Sequence, residues 1–305
     1  MKFQEEVDMQ AMILAAGFGT RLLPFTAIRP KPLFPILDTP LLILTIRRLQ
    51  HAGFRKIIVN CHHLREQIVQ AVQGIDGLII QEEETILGTG GGLRRALSCL
   101  DDAPLLVTNS DIYHNLDYRS LYDAHLRACL PVTMAMHDCP RFNGVGVLGE
   151  EVVGFGAGSL KNAAFSGLHV LDPWVLRDIE EESFSCIIDR YKRLLAGGGR
   201  ISSYRMDESY WADMGTLADY LDLHAGLLSS RVPVLAELLP AVQLSSVPPE
   251  GVEVTDWAYL PDSVRVKGAC RLARSVVWPG AELLEGCSYR DTIVTSEMSL
   301  GGEVI

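Results

Sequence analysis

An α/β fold on a doubly wound, mostly parallel sheet, followed by a small repetitive tail, is what this chain predicts, and three observations predict it. Apolar strand-like runs alternate with helical stripes through the first two-thirds of the sequence. The first run, Ala11 to Ala16, empties into Gly17-Phe18-Gly19-Thr20-Arg21, a strand feeding a loop that can bring backbone N–H groups close to an anion. After Gly251 the pattern changes to an apolar residue every six positions.

Taken in order, the strand candidates are Ala11–Ala16, Lys56–Asn60, Leu78–Gln81 and Pro104–Thr108, with helical spacing such as Leu42, Ile46 and Leu49 between them. Ligands of such sheets sit at the carboxyl ends of the strands, where both Gly17–Arg21 and Asn109–Asp111 fall, so these two loops are expected to converge. Shorter runs follow at Val132–Met136, Val145–Leu148 and Ala164–Leu171. Phe184, Ile187, Ile188, Tyr191, Leu194 and Leu195 trace a helix closed by Gly197-Gly198-Gly199. Thr216 with Asp219 three residues on reads as the capping box of another helix. Pro233, Pro240, Pro248 and Pro249 mark residues 230–250 as a linker between a catalytic domain, 9–229, and a tail, 251–305. Residues 1–8 receive no function, and Met9 is a plausible alternative initiator.

In the tail, Val254, Leu260, Val266 and Leu272 are six apart, as are Ala258, Val264, Cys270 and Val276. Both phases slip by one residue together and resume as Val277, Leu283, Tyr289 and as Ala281, Cys287, Ile293. That is a hexapeptide β-helix, too short to stand alone, so it is expected to dock on the catalytic domain or on a second subunit, with Trp257 and Trp278 as candidate contacts.

Composition narrows the function. A formal charge of −11 argues against nucleic acid or an anionic membrane surface as partner, and an acidic protein that binds a polyphosphate must concentrate cations locally. Neither a signal-type apolar stretch nor a membrane-spanning run is present, which predicts a cytoplasmic protein. The seven cysteines lack metal or C-x-x-C spacing and read as free thiols, and His62-His63 has no zinc set around it. Arg21 and Lys31 supply the fixed charge beside the glycine loop, with Arg29 as a third candidate.

Gly17-x-Gly19-Thr20-Arg21-Leu22 followed by Pro30-Lys31-Pro32-Leu33 resembles the signature of the sugar-1-phosphate nucleotidyltransferases. It is neither a P-loop, which ends Gly-Lys-Ser/Thr, nor a dinucleotide fingerprint, which needs a glycine where Leu22 stands. The resemblance implies a Rossmann-like nucleotidyltransferase fold, a nucleotide loop over Leu14, Ala15, Ala16, Gly17, Gly19 and Thr20, and Arg21 and Lys31 as catalytic cations. Glu83 with Leu87-Gly88-Thr89-Gly90-Gly91-Gly92 is similar to the family's base-reading loop, which makes Glu83, Gly88, Thr89 and Gly90 candidate base contacts. Asn109-Ser110-Asp111 and Trp211-Ala212-Asp213-Met214-Gly215-Thr216 match the elements whose aspartates hold Mg²⁺, assigning Asp111 and Asp213 to the metal. Arg141-Phe142-Asn143-Gly144-Val145 resembles the sugar loop, with Asn143 and Gly144 as contacts. The family's lysine before Ala164–Leu171 has Lys161 as its substitute at a different spacing, which makes Lys161 the candidate grip on the sugar phosphate. The tail is similar to the left-handed β-helix of several nucleotidyltransferases and acyltransferases, and through it the chain is a candidate homo-oligomer.

The implied reaction is in-line attack by a sugar 1-phosphate on the α-phosphorus of a nucleoside triphosphate, releasing pyrophosphate. Its nucleophile is already ionised at neutral pH, so no Ser, Cys or His needs activation. The Thr89-Gly90-Gly91-Gly92 run and the shortened lysine element resemble N-acetylmuramate-1-phosphate uridylyltransferases; the tail resembles mannose- or heptose-1-phosphate guanylyltransferases. A mannose-1-phosphate guanylyltransferase-like enzyme is the reading adopted, with the uridylyltransferase as its alternative. A catalytically silent binding subunit is disfavoured because Arg21, Lys31, Asp111 and Asp213 are all present, and a phosphocholine acceptor because aromatics make up only 7% of the chain.

Overall fold

The structure, a computed structural model, describes residues 9–156, 162–244 and 247–297. Its residues group into two compact units. One holds Thr45–Ser110 and Leu116–Trp211 with the chain up to Phe18. The other holds Gly19–Leu44, Asp111–Asn115 and everything from Ala212 onward.

The first unit is built on a nine-stranded sheet. Its strands are β1 (Met9–Leu14), β2 (Phe54–Cys61), β3 (Leu78–Glu82), β4 (Leu105–Asn109), β5 (Val132–His137), β6 (Asn143–Leu148), β7 (Glu151–Phe155), β8 (Asn162–Leu171) and β9 (Ile201–Arg205). The spatial order is β3-β2-β1-β4-β8-β5-β9-β7-β6. The first four strands are parallel, as their alternation with helices requires. β8 then enters antiparallel to both β4 and β5, and only the β5–β9 pair is parallel beyond it. The sheet is therefore mixed rather than mostly parallel: long β8 inserts between strands that a simple crossover pattern would have made neighbours. β1 is almost wholly apolar because it is central, with partners on both edges and Ala11, Met12 and Ile13 fully buried.

Helix α1 (Gly88–Ala96) and helix α2 (Ile187–Ala196) bring Leu93, Ala96, Tyr191 and Leu194 into one core with Met12, Ile58 and Val107. Helix α2 starts at Ile187, so Phe184 lies ahead of it and is 70% exposed instead of heading its buried stripe.

In the second unit, helix α3 (Leu217–Leu228) starts at the Thr216 cap. The Thr216 hydroxyl accepts from Asp219 N at 3.2 Å and donates to the Asp219 carboxylate at 2.7 Å. The proline-rich stretch after it is no extended spacer. It carries a short helix, Leu239–Leu244, and buries Leu238 completely. Pro233 accepts from the Tyr113 hydroxyl at 2.8 Å.

The tail strands form three parallel ladders, an arrangement compatible with a β-helix. Val252 faces Cys270, eighteen residues on, whereas Arg271 faces Ser288 and Ala258 faces Ser275, seventeen on. The one-residue slip between the hexads thus lies at a shortened corner. There Arg274, and one coil later Asp291, take left-handed backbone, with φ of 47° and 51°. The two corner side chains pair at 2.6 Å. Among the described residues no helix is long and apolar enough to cross a membrane.

Candidate functional site

Four of the charged residues singled out by the sequence come together in the second unit. Gly19 has φ of 63° and caps the short turn Thr20–Leu22; a Cβ there would stand 2.8 Å from Thr26 Cγ2 and 3.3 Å from Lys31 Cβ, so glycine lets the loop close onto the lysine. Lys31 opens a second turn, Lys31–Leu33, fixed by Pro30 and Pro32. Its side chain is only 8% exposed, and Nζ donates to Asp111 Oδ2 at 2.6 Å and lies 3.8 Å from Asp213 Oδ1. The aspartates are joined through backbone, Met214 N donating to Asp111 O at 3.1 Å. Arg21 completes the group. A Cβ on Gly215 would sit 2.6 Å from Asp213 Oδ2 and 2.7 Å from Arg21 Nη1, so the glycine is what lets guanidinium and carboxylate approach.

Electrostatics single out one carboxylate of the cluster. Burial, and then the neighbouring Asp111 charge, push the Asp213 carboxyl above its ordinary range, while Lys31 and Arg21 pull it back. Two adjacent carboxylates are a donor set that suits a hard divalent cation. Among the described residues no group of three or more His, Cys, Asp or Glu side chains could hold a metal. A cation on Asp111 and Asp213 would therefore take most of its oxygens from water and substrate, as Mg²⁺ does. Arg29 does not join. Its guanidinium stacks 4.4 Å over the Trp278 ring, which corrects its reading as a third phosphate cation.

The first unit assembles the other constellation. β1 ends at Leu14, and the half-buried Ala16 and the exposed Gly17 follow. Ala15 N donates to Asn60 Oδ1 at 2.8 Å, and Asn60 Nδ2 donates to Glu83 Oε1 at 2.7 Å. Glu83 Oε2 accepts from Leu87 N at 3.1 Å. Glu83 is fully buried with both oxygens occupied, so it supports the loop and is not an open acceptor for a base. A Cβ on Gly92 would meet Asn60 Nδ2 and Glu83 Oε1 at 2.9 Å, which explains one glycine of the run.

The others face residues 183–187. Gly90 N donates to Ser185 O at 2.7 Å, Ser185 N to Leu87 O at 2.9 Å, and Ile187 N to the Thr89 hydroxyl at 3.0 Å. Thr89 and Gly90 are tied within the protein, because α2 starts against them. Gly88 has φ of 69°, and a Cβ there would meet Ser185 O at 2.6 Å and the Phe184 ring at 3.1 Å. Asn143 ties to the neighbouring turn: its side-chain carbonyl accepts from Cys139 N at 3.0 Å and its amide donates to Asp138 at 2.8 Å. Gly144 O accepts from Gly156 N at 2.7 Å. Lys161 lies outside the described residues.

Asn60 is the member that sequence reasoning missed. Its only signal was a polar residue closing the apolar run Ile57-Ile58-Val59, where it is 2% exposed.

A nine-stranded mixed α/β sheet in one unit and a buried lysine–dicarboxylate cluster in the other are features of a phosphate-handling enzyme. Sequence comparison gives its family: residues 10–230 match the nucleotidyl transferases, and the chain belongs to that family. The mannose-1-phosphate guanyltransferase of Debaryomyces hansenii is 29% identical over 74% of this chain and 67% of its own length. The N-acetylmuramate α-1-phosphate uridylyltransferase of Neisseria meningitidis is 30% identical over 68% of this chain and 94% of its own. A crystal structure titled as a putative glucose-1-phosphate thymidylyltransferase from Bacillus anthracis in complex with a sucrose superimposes with a TM-score of 0.66 at 16% identity. It covers 76% of this chain and 99% of that one.

Proposed function

We propose that this nucleotidyltransferase joins a nucleoside triphosphate to a sugar 1-phosphate, and that GTP and mannose 1-phosphate are its substrates. The observation that carries the chemistry is the Lys31–Asp111–Asp213 cluster. Asp111 and Asp213 would hold Mg²⁺, which neutralises triphosphate charge and polarises the α-phosphate. Lys31 and Arg21 add fixed positive charge beside these carboxylates, where two anionic substrates must be brought together. The sugar phosphate attacks as a dianion, its second pKa being about 6, so no side chain needs to remove a proton. As the family resemblance has them, the Leu14–Thr20 loop is assigned to the phosphates and Gly88 to the base. Asn143, Gly144 and Lys161 stay assigned to the sugar phosphate as the family resemblance has them.

The choice of sugar rests on the tail. The uridylyltransferase relative is matched almost end to end and still leaves about a third of this chain without counterpart, at 68% coverage. We assign residues 9–229 to catalysis, 230–250 to the connection and 251–305 to a left-handed β-helix through which copies of the chain associate. Nucleotide-sugar synthesis and unpaired thiols fit the cytoplasm.

The test is pyrophosphate release from each of four nucleoside triphosphates against a panel of sugar 1-phosphates with Mg²⁺. GTP with mannose 1-phosphate should be fastest. UTP with N-acetylmuramate 1-phosphate in first place would move the assignment to the alternative, and no release from folded protein with any pair would remove the reading.

A further inference from the structure

One side chain of the tail grips the segment that carries Lys31. Trp278 follows the tail strand Ser275–Val277 and is 2% exposed. The Arg29 guanidinium lies 4.4 Å over its ring. The Phe34 ring meets it edge-on at 4.8 Å, and Phe25 lies 6.4 Å away. The indole Nε1–H donates to the Tyr220 hydroxyl at 3.1 Å, and that hydroxyl donates to Pro35 O at 2.5 Å.

These partners have a common address. Between Arg29 and Phe34 runs the turn Lys31–Leu33, closed by Leu33 N to Pro30 O at 2.9 Å and Phe34 N to Lys31 O at 3.0 Å. Arg29 precedes that turn by two residues and Phe34 follows it directly, so a single indole touches both ends. Pro35, one residue further, is tied to the same ring through Tyr220. An arginine beside a triphosphate centre would be expected to face the phosphates, yet Arg29 faces the indole, where an aromatic face favours a cation taken out of water.

We infer that Trp278 is a positioning residue: by clamping both ends of the Lys31 turn it holds the lysine against Asp111, so the tail is a working part of the phosphate centre. The inference rests on the proposed function only for its kinetic consequence. Its geometric content, that Lys31 is kept buried by Trp278, is independent of activity.

The experiment therefore reads Lys31 directly. Full-length wild type, Trp278→Ala, Trp278→Phe and Arg29→Met are acylated with a small amine reagent and each lysine is quantified by peptide mass spectrometry. Lys192 and Lys267, with side chains 54% and 52% exposed, serve as internal references. In Trp278→Ala, Lys31 should label at least tenfold faster than in wild type, relative to the references. Arg29→Met, which leaves the aromatic core in place, should move in the same direction, and Trp278→Phe should return most of the protection. With substrates, kcat should fall at least tenfold in Trp278→Ala while KM for the triphosphate changes less, and Trp278→Phe should restore most of the rate. Unchanged Lys31 labelling in both Trp278→Ala and Arg29→Met overturns the inference, as does a wild-type kcat in Trp278→Ala with Lys31 exposed. An inactive wild type would count against the proposed reaction, while the labelling still decides the clamp.

Discussion

Asp111, Asp213, Lys31 and Arg21 form a cluster in which each charge is close to one of opposite sign, and in which glycine is required for the approach. Replacing Asp111 with Asn removes a carboxylate but keeps its shape. Turnover should fall at least a hundredfold, on the order of 3 kcal/mol of transition-state stabilisation. The melting temperature should stay within a few degrees of wild type, because Asp111 is partly exposed. Wild-type activity in Asp111→Asn would take it out of the metal site. Gly215→Ala probes the cluster from the backbone side. The new methyl would meet Asp213 Oδ2 at 2.6 Å and Arg21 Nη1 at 2.7 Å, so the pair must separate. The expected result is a loss of kcat larger than any loss of melting temperature; full activity would show that Arg21 is not needed there. These residues were legible in sequence because their spacing is a signature. Arg29 was not, since only the folded chain shows its charge turned onto Trp278.

Single elements are held by buried polar links whose logic no local pattern displays. Asn60 joins Ala15 N to Glu83, and Glu83 joins Asn60 to Leu87 N. Asn60→Ala would leave a buried N–H and a buried carboxylate oxygen short of partners, costing about 1–3 kcal/mol for each such group. Chemical denaturation should show that loss, and the triphosphate KM should rise because both loops relax. An unchanged denaturation midpoint would mean that water or Gln81 replaces the amide. The glycine run shows the same limit: its position at a helix start was readable, but not its reason, the close passage of Ser183 to Ile187. In the tail the sequence was more transparent. Hexads fill an interior one side chain at a time, so a one-residue slip had to be a shortened corner, and it falls at Arg274 and Asp291.

At the scale of the whole molecule, the parallel half of the sheet followed from strand–helix alternation, whereas the antiparallel entry of β8 depends on register with strands far away in sequence. Acid stability is also a property of the whole chain. His224 is fully buried, and Leu37 N–H donates to its Nε2 at 3.1 Å, which leaves the proton on Nδ1 to be given to Tyr220 O at 2.9 Å. Burial lowers its pKa to about 4, and His169, also buried, is lowered to about 3. A histidine depressed in the folded state contributes stability that is complete above its ordinary value near 6.5. That stability is lost as pH falls through the folded value, because the unfolded chain binds the proton first. Melting temperature should therefore decline from about pH 6.5 towards pH 4. His224→Gln should flatten part of that decline, and an equally steep decline in the variant would exclude His224 as a source.

The most direct measurement is pyrophosphate release from GTP and mannose 1-phosphate by wild type and by Asp213→Asn as Mg²⁺ is titrated. Wild type should turn over only with the cation and stop on chelation. Asp213→Asn should remain folded yet run at least a hundredfold slower at every Mg²⁺ concentration, a deficit of roughly 3 kcal/mol. Release that ignores chelation, or an Asp213→Asn variant as fast as wild type, would contradict the assignment of the Lys31–Asp111–Asp213 cluster as the nucleotidyl-transfer centre.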